Sequence, residues 1–436
     1  MLARALVRRF AVLGYRDFRL LLADRVLAPA AFAFSLVGVS FAVLDATGST
    51  ADLSYVLAAQ IAPSLIFTLA GGVAADRIPA QRVIVAGNVM IALGEGTFGI
   101  LLLAAHPRLW QMILLEALTG TGMAIFYPAS QALLPRLVPG ELLQQASAVS
   151  RLAMNAGQMG GAALAGLCVA AFGPGWALAM CGLGIVLSVP MLLAIRAANA
   201  TERAERTGML GDLLEGWSEF RSHTWLWVIV AQFGVVLMAW YGAFQILGPV
   251  VARTHLGGPA AWGAITAADA FGLIAGGVVS LRFAPRRPMR FVVTIGAAIS
   301  VAPLSLAMLW PLALVCCASF GLGVALEIMM VQWTVALARH VPPGKLARVS
   351  SYDLLGSVMA MPAGALIAGP LAAAIGVPAT QYGAAALIVL ASLLALIPRD
   401  VRGMRAGDGL RPGTDAPQPV QAASSDSPVN AAHIAA

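Results

Sequence analysis

Apolar residues in this chain neither alternate with polar ones nor keep to one helical face; they run in stretches of about 20 residues separated by short polar breaks. A helix of about 20 residues crosses a ~30 Å hydrocarbon layer, so the pattern predicts membrane-spanning helices. The missing period-two alternation excludes a closed barrel. About twelve spans are expected, centred near Phe34, Ser64, Gly94, Gly122, Gly157, Ile185, Val236, Phe271, Ala298, Gly323, Ala360 and Val389. Between the sixth and seventh, Arg196 to Arg221 is polar and of mixed charge, with Leu210, Leu213, Leu214 and Trp217 at the spacing of an amphipathic surface helix. The expected organisation is a cytoplasmic N-terminus at 1–19, a six-helix bundle at 20–196, a linker at 197–222, a second six-helix bundle at 223–398, and a tail at 399–436. The tail is rich in Pro, Ser and Ala, poor in bulky residues, and expected to be disordered.

The two bundles echo each other. Ala70-Gly71-Gly72-Val73 returns as Ala275-Gly276-Gly277-Val278 (275 − 70 = 205), and Gly120-x-Gly122 as Gly321-x-Gly323 (321 − 120 = 201). Gly161 with Leu164-Ala165-Gly166 returns as Gly364 with Ile367-Ala368-Gly369 (364 − 161 = 203). Three matches in order predict a duplicated six-span unit. Parallel repeats of this kind are related by an axis along the membrane normal and enclose a site reached alternately from either side.

Composition changes the picture little. The chain is 60% hydrophobic and 11% charged, whereas a soluble domain carries roughly 25% charged residues. The net charge of +7 comes from residues dispersed in short loops, so nucleic-acid binding is not expected. Alternate loops carry Arg77 and Arg82, Arg136, the linker, Arg282 to Arg290, and Arg339 with Lys345 and Arg348; the loops between them hold only Arg108 and Arg253. By the positive-inside rule both termini are expected in the cytoplasm. Five arginines precede the first apolar run, so no cleavable signal is expected, and one lysine among 27 basic residues suggests GC-rich coding and a bacterial cytoplasmic membrane. Cys168, Cys181, Cys316 and Cys317 all fall within spans and read as small hydrophobes. No nucleotide-binding loop, catalytic triad or metal-ligand spacing occurs, so an enzyme, an ATP-driven pump, a metal centre and a cofactor are not expected.

Gly72-Val-Ala-Ala-Asp76-Arg77 followed by Arg82 resembles the loop motif between the second and third spans of the major facilitator superfamily. Phe18-Arg19, Thr47-Gly48-Ser49, Pro128-Ala129 and Val349-Ser350-Ser351-Tyr352-Asp353 resemble landmarks of its drug and siderophore exporter branch, which holds macrolide and enterobactin exporters. The likeness runs from about Tyr15 to Pro398. It implies an all-α membrane fold of two six-helix bundles, with Gly72, Asp76, Arg77 and Arg82 forming a latch on the inner gate. Two positions depart from the branch. Glu116 stands where an arginine often precedes the fourth-span glycine, and Gly161-Ala-Ala-Leu-Ala-Gly166 replaces Gly-Pro-x-x-Gly-Gly. The usual proton-antiport scheme thereby lacks two landmarks.

Ionisable groups within spans are costly and therefore candidates for function. Six acids qualify: Asp24, Glu95, Glu116, Asp269, Glu327 and Asp353. The resemblance implies that spans one, four, seven and ten line the cavity, which selects Glu116 and Glu327 for proton or substrate binding, with Asp269 near mid-membrane. Glu95 is expected to face lipid or its own half. Asp24, Arg25, Arg151 and Asp353 lie a turn or two inside their spans, where Arg25 and Asp353 could form a gating pair or snorkel to the interface. Tyr127, Trp240, Tyr241 and Trp333, with Phe126, Gln245 and Gln332, suit an amphipathic organic molecule, cations included. Trp110, Trp225, Trp227, Trp262 and Trp310 are expected as belt anchors at span ends. The expected function is a monomeric exporter of a small amphipathic compound in exchange for protons. The alternatives are an importer of the same fold and a non-transporting membrane sensor or assembly partner.

Overall fold

The computed structural model describes residues 11–67, 80–196, 217, 220–280, 282–283, 285–341, 349, 352–353 and 356–404. Twelve principal helices follow in order: α1 (Arg16–Thr47), α2 (Thr50–Ile66), α3 (Ala80–Ala104), α4 (Leu109–Leu137), α5 (Leu143–Phe172) and α6 (Pro174–Leu193), then α7 (Thr224–Trp240), α8 (Pro259–Ser280), α9 (Pro288–Ala298, resuming at Val301–Ala307), α10 (Leu312–His340), α11 (Met361–Ile375) and α12 (Val377–Ala395). Eleven of the described helices are long and apolar enough to cross a membrane, and the chain is a multi-pass membrane protein. The expected span centres fall on separate helices, apart from Ala360, which caps α11.

Helices form here because hydrocarbon offers the backbone no hydrogen-bond partner, so each segment must satisfy its own N–H and C=O groups. Their ends carry conventional signals. The Ser49 hydroxyl accepts from the Asp52 N–H at 3.2 Å to cap α2. Gly173 and Gly376 turn the chain from α5 into α6 and from α11 into α12 at φ +90° and +91°, a backbone region that disfavours any side chain. They are 203 positions apart (376 − 173 = 203).

Within the first half α1 packs on α5 and α6, α3 on α4 and α6, and α2 on α4; within the second α8 packs on α10, α7 on α11 and α12, and α9 on α10 and α12. Among the described residues the two most extensive junctions between the halves are α5 with α8 and α2 with α11. The repeat accounts for both. Gly161 of α5 rests on the Ala30 backbone of α1, as Gly364 of α11 rests on Met238 of α7. One turn further, Gly166 meets Gly263 on α8 and Gly369 meets Thr50 on α2, so corresponding glycines make the two junctions.

The echo in α4 and α10 has a different register from the one the sequence suggests. Gly120 lies on the Gln60 backbone of α2, and its counterpart on the Asp269 backbone of α8 is Gly323. Gly321 would meet nothing if given a side chain. The offset is therefore 203 here too (323 − 120 = 203), which sets Glu116 opposite Ser319 (319 − 116 = 203) and Glu327 opposite Ala124 rather than Phe126.

Three further findings adjust the expectations. Arg399–Gly403, assigned to the tail, forms a short helix with Val401 fully buried; residues 405–436 lie outside the described residues. Most of the linker lies outside them too, but Trp217 stacks on Phe220 at 5.8 Å and meets Tyr352 at 5.5 Å. Trp262 and Trp225 are core residues rather than belt anchors: Trp262 is fully buried against Phe244, and Trp225 packs edge-on to Trp333 at 5.7 Å. Trp110 and Trp227 are exposed, as anchors would be.

Candidate functional site

Three of the six acids define two places, Glu95 with Glu116 inside the first bundle and Glu327 with Arg151 between the bundles. In the first, Glu95 of α3 and Glu116 of α4 are both fully buried. The Ser35 hydroxyl donates to Glu95 Oε1 at 2.6 Å, and Gln60 Nε2 donates to Glu116 Oε2 at 2.7 Å. Each carboxyl keeps a second oxygen with no partner among the described residues, and so does the hydroxyl of Thr119. Gly94 has no side chain, and the Thr119 hydroxyl lies against that bare position. The acids are electrostatic neighbours, Cys181 of α6 lies beside both, and Tyr241 of α7 is within electrostatic reach of Glu116. Glu95 thus points into its own bundle beside Glu116, the lipid-facing alternative being the one the structure overturns. Each carboxyl thus meets one neutral donor and is otherwise unpartnered among the described residues, and buried ionisable groups of this kind are candidates for function.

The second group straddles the halves. Arg151 Nη1 of α5 donates to Glu327 Oε1 of α10 at 3.1 Å, with side chains 63% and 10% exposed. Glu327 backs onto Gly276 and Gly277 of α8, the repeated Gly-Gly, where the bare backbone makes room for it. A pairing of Glu327 with arginine lies beyond sequence reading, since the partners are 176 positions apart.

The expected pairing of Arg25 with Asp353 is absent from this arrangement. Arg25 Nη2 donates to the Ser130 carbonyl at 2.9 Å and Nη1 to Met154 Sδ at 3.2 Å. Asp353 accepts from Trp333 Nε1 at 2.8 Å and from Ser357 at 3.3 Å. The indole N–H and the serine hydroxyl occupy the Asp353 carboxylate instead. Trp333 itself is buried among Trp225 and Phe233, and Gln332 donates to the Phe283 carbonyl at 3.0 Å, so both brace the second bundle. Asp24 is buried beside Arg25, and Asp269 has one buried oxygen without a partner among the described residues.

Of the remaining candidates, Gly72, Asp76 and Arg77 lie outside the described residues, and Tyr127 lies on α4 with its side chain outside them. Arg82 is exposed in the first turn of α3. Trp240 and Tyr241 sit where α7 widens into a π-turn over Tyr241–Ile246, the Leu247 N–H reaching back five residues to the Gly242 carbonyl at 3.3 Å. Such turns redirect side chains and recur at functional sites. Trp240 stacks on Phe244 at 6.3 Å, its N–H unpartnered among the described residues. Tyr241 enters a cluster with Val43, Leu53 and Leu57 of the first half.

That cluster is part of a seal at the arginine-poor end. Arg253, in the segment Ala252–Leu256 that follows α7, pairs with Asp45 at the end of α1 at 3.0 Å and also bonds the Leu44 carbonyl. Thr50 donates to the Gly369 carbonyl at 3.1 Å, and the Gly369 N–H donates to Ser54 at 2.8 Å. On the other flank a Cβ at Gly166 would lie 2.8 Å from the Gly263 Cα. Arg151, Ala162 and Gly166 share the α5 face turned to α8, by their helical spacing. The helices touch at Gly166, yet Arg151, about 22 Å away along that face, is 63% exposed. The halves pack together at the arginine-poor end, whereas toward the arginine-rich end Arg151 stays largely exposed while bonding Glu327 of the other half.

A family model described as the Major Facilitator Superfamily matches residues 26–352. The chain is 23% identical over 376 residues to macrolide efflux protein A of Streptococcus pyogenes, covering 84% of this chain and 92% of that protein. It is 26% identical over 341 residues to the enterobactin exporter EntS of Escherichia coli, covering 77% and 81%. Among solved structures it is similar to a D-xylose-proton symporter (TM-score 0.70, 12% identity, 88% of this chain and 99% of that one). It is also similar to an inward-facing, unoccupied bacterial homolog of the lysosomal transporter Spinster (TM-score 0.68, 15% identity, 91% and 99%). At these identities the structural likeness bears on the fold.

Proposed function

The chain belongs to the Major Facilitator Superfamily, a transporter family and not an enzyme family, and we propose that it exports a small amphipathic organic compound from the bacterial cytoplasm in exchange for protons. The observation that carries this reading is the closed arginine-poor end, with ionisable groups held below the seal. Arginine-rich loops face the cytoplasm, so in this reading the end that carries the exposed Arg151 opens inward and receives a cytosolic compound. The two curated relatives support export by their names, efflux of a macrolide in one and export of enterobactin in the other.

In this reading Glu116, joined by Glu95, takes the proton, and Asp269 is a second acid for proton or cargo in the other half. Trp240, Tyr241 and Tyr127 contact the apolar part of the cargo, and Glu327 stands at the cleft. Gly72, Asp76, Arg77 and Arg82 latch the inner gate when the molecule opens outward, with Arg25 and Asp353 beside that gate. One chain suffices for the path, in a lipid bilayer, with no cofactor.

The test is uptake into inverted membrane vesicles with an acidic interior, offered a macrolide, enterobactin and amphipathic dyes. Accumulation that collapses with the proton gradient is the expected result. Vesicles that stay empty while whole cells accumulate the compound would make the protein an importer. Unchanged cellular resistance in Glu116→Gln and Glu327→Gln variants would favour a sensor.

A further inference from the structure

Arg151 is a cation two turns inside a membrane-spanning helix, and its surroundings do not use it up. It lies about 12 Å into α5 from Leu143, on the face that meets α8 further along, so it belongs to the space between the halves rather than to lipid. Its bond to Glu327 is single, through Nη1 to Oε1, and the side chain remains 63% exposed. A guanidinium carries five N–H donors in a planar fork and satisfies them best with a two-oxygen anion.

The neighbouring charges leave that demand standing. Arg25 touches Met154, one turn from Arg151, so a second guanidinium backs the same wall of the cleft, and Asp24 lies beside it. These two are buried and offset each other, while Glu327 offers one oxygen from across the gap. Arginine at membrane depth is stabilised by an anionic partner, and here most of the guanidinium side chain stays exposed beside its single bond to Glu327.

We infer that the free face of Arg151 is an anion-binding subsite of the cleft, taking the carboxylate, phenolate or sulfonate of an amphipathic organic acid, with Glu327 as the internal anion that the cargo displaces. This inference rests on the reading of the cleft as the cargo path and narrows the cargo to compounds carrying an acidic group. Displacement also links occupancy to the contact between halves: an anion on Arg151 releases Glu327 and removes an ion pair that ties α5 to α10.

The experiment is calorimetric titration of the full-length protein in detergent with naphthalene-2-sulfonate, and with 2-naphthylmethylammonium as the cation of similar shape. The sulfonate is expected to bind more tightly than the ammonium. Arg151→Gln should weaken sulfonate binding by about tenfold or more, as expected for losing charge-assisted hydrogen bonds. Glu327→Gln should strengthen it by removing the internal competitor, and Arg151→Lys should fall between, with thermal unfolding of each variant reporting the fold. Sulfonate affinity unchanged in Arg151→Gln, or weakened in Glu327→Gln, would overturn the inference. So would a preference for the ammonium that disappears in Glu327→Gln. Sulfonate that binds as stated yet is not moved by vesicles would overturn the exporter reading and leave the subsite standing.

Discussion

Gly166 on α5 and Gly369 on α11 stand 203 positions apart (369 − 166 = 203), and each touches the opposite half of the molecule, Gly166 at Gly263 and Gly369 at Thr50. Neither site has room for a side chain. Gly166→Val or Gly369→Val should therefore disfavour closure of the arginine-poor end. Overpacking of this kind costs ~1–3 kcal/mol, which shifts the closed population several-fold or more. Spin labels on the loops after α1 and α7 should move apart in either variant, and transport should slow.

The Asp45–Arg253 pair makes a weaker contribution to the same seal. Its side chains are 51% and 40% exposed, and exposed pairs contribute roughly 0–1 kcal/mol. Asp45→Asn should lower the closed population by less than about fivefold, an effect that high salt removes. The bond from Arg253 to the Leu44 carbonyl remains in this variant. The same label distance, measured at low and high salt, checks both expectations.

Glu95 and Glu116 should separate coupling from stability. Glu116→Gln keeps the shape and a partner for Gln60, so its melting temperature should stay close to that of the parent while proton release on cargo binding is lost. Glu95→Gln should do the same with Ser35 as partner. Glu116→Leu instead leaves the Gln60 amide unpaired in a dry site, at a cost of ~1–3 kcal/mol. A pH-sensitive dye in weak buffer reads the first effect and a thermal melt the second.

Trp333 should behave as a brace. Trp333→Phe keeps the ring among Trp225 and Phe233 but removes the donor to Asp353. The loss should destabilise the second bundle by ~1–3 kcal/mol and leave the KM for cargo unchanged. A changed KM with an unchanged melting temperature would return Trp333 to the cargo path.

Spans and repeat were legible in the sequence because both are one-dimensional: hydrocarbon demands length, and duplication leaves its spacing in the chain. Gly161 and Gly364 mark equivalent contacts, as their spacing suggested. Azimuth was not legible. α3 is apolar nearly all round, so nothing in its pattern turns Glu95 toward Ser35 rather than toward lipid. Trp333 and Gln332 share a helix with Glu327, yet they serve the interior of their bundle while Glu327 reaches out of it. Trp262 lies near the start of α8, where belt anchors are found, but bare Gly248 on α7 leaves its ring a buried seat. The register of α4 against α10 is hidden in the sequence because paired glycines two residues apart look alike there, while in the fold Gly120 and Gly323 meet the equivalent helices α2 and α8, Gly122 meets α3 and Gly321 meets nothing.

The corresponding glycines give this single chain the contact pattern of a symmetric dimer. In a true homodimer every substitution appears twice, so neither subunit can acquire an acid without its twin. Fusion removes that constraint. Glu116 could arise opposite Ser319, and Asp269 opposite Gln60, while Gly166 and Gly369 went on making the shared contact from both sides. The symmetric positions make the same contact from both halves, and the asymmetric ones are free to specialise.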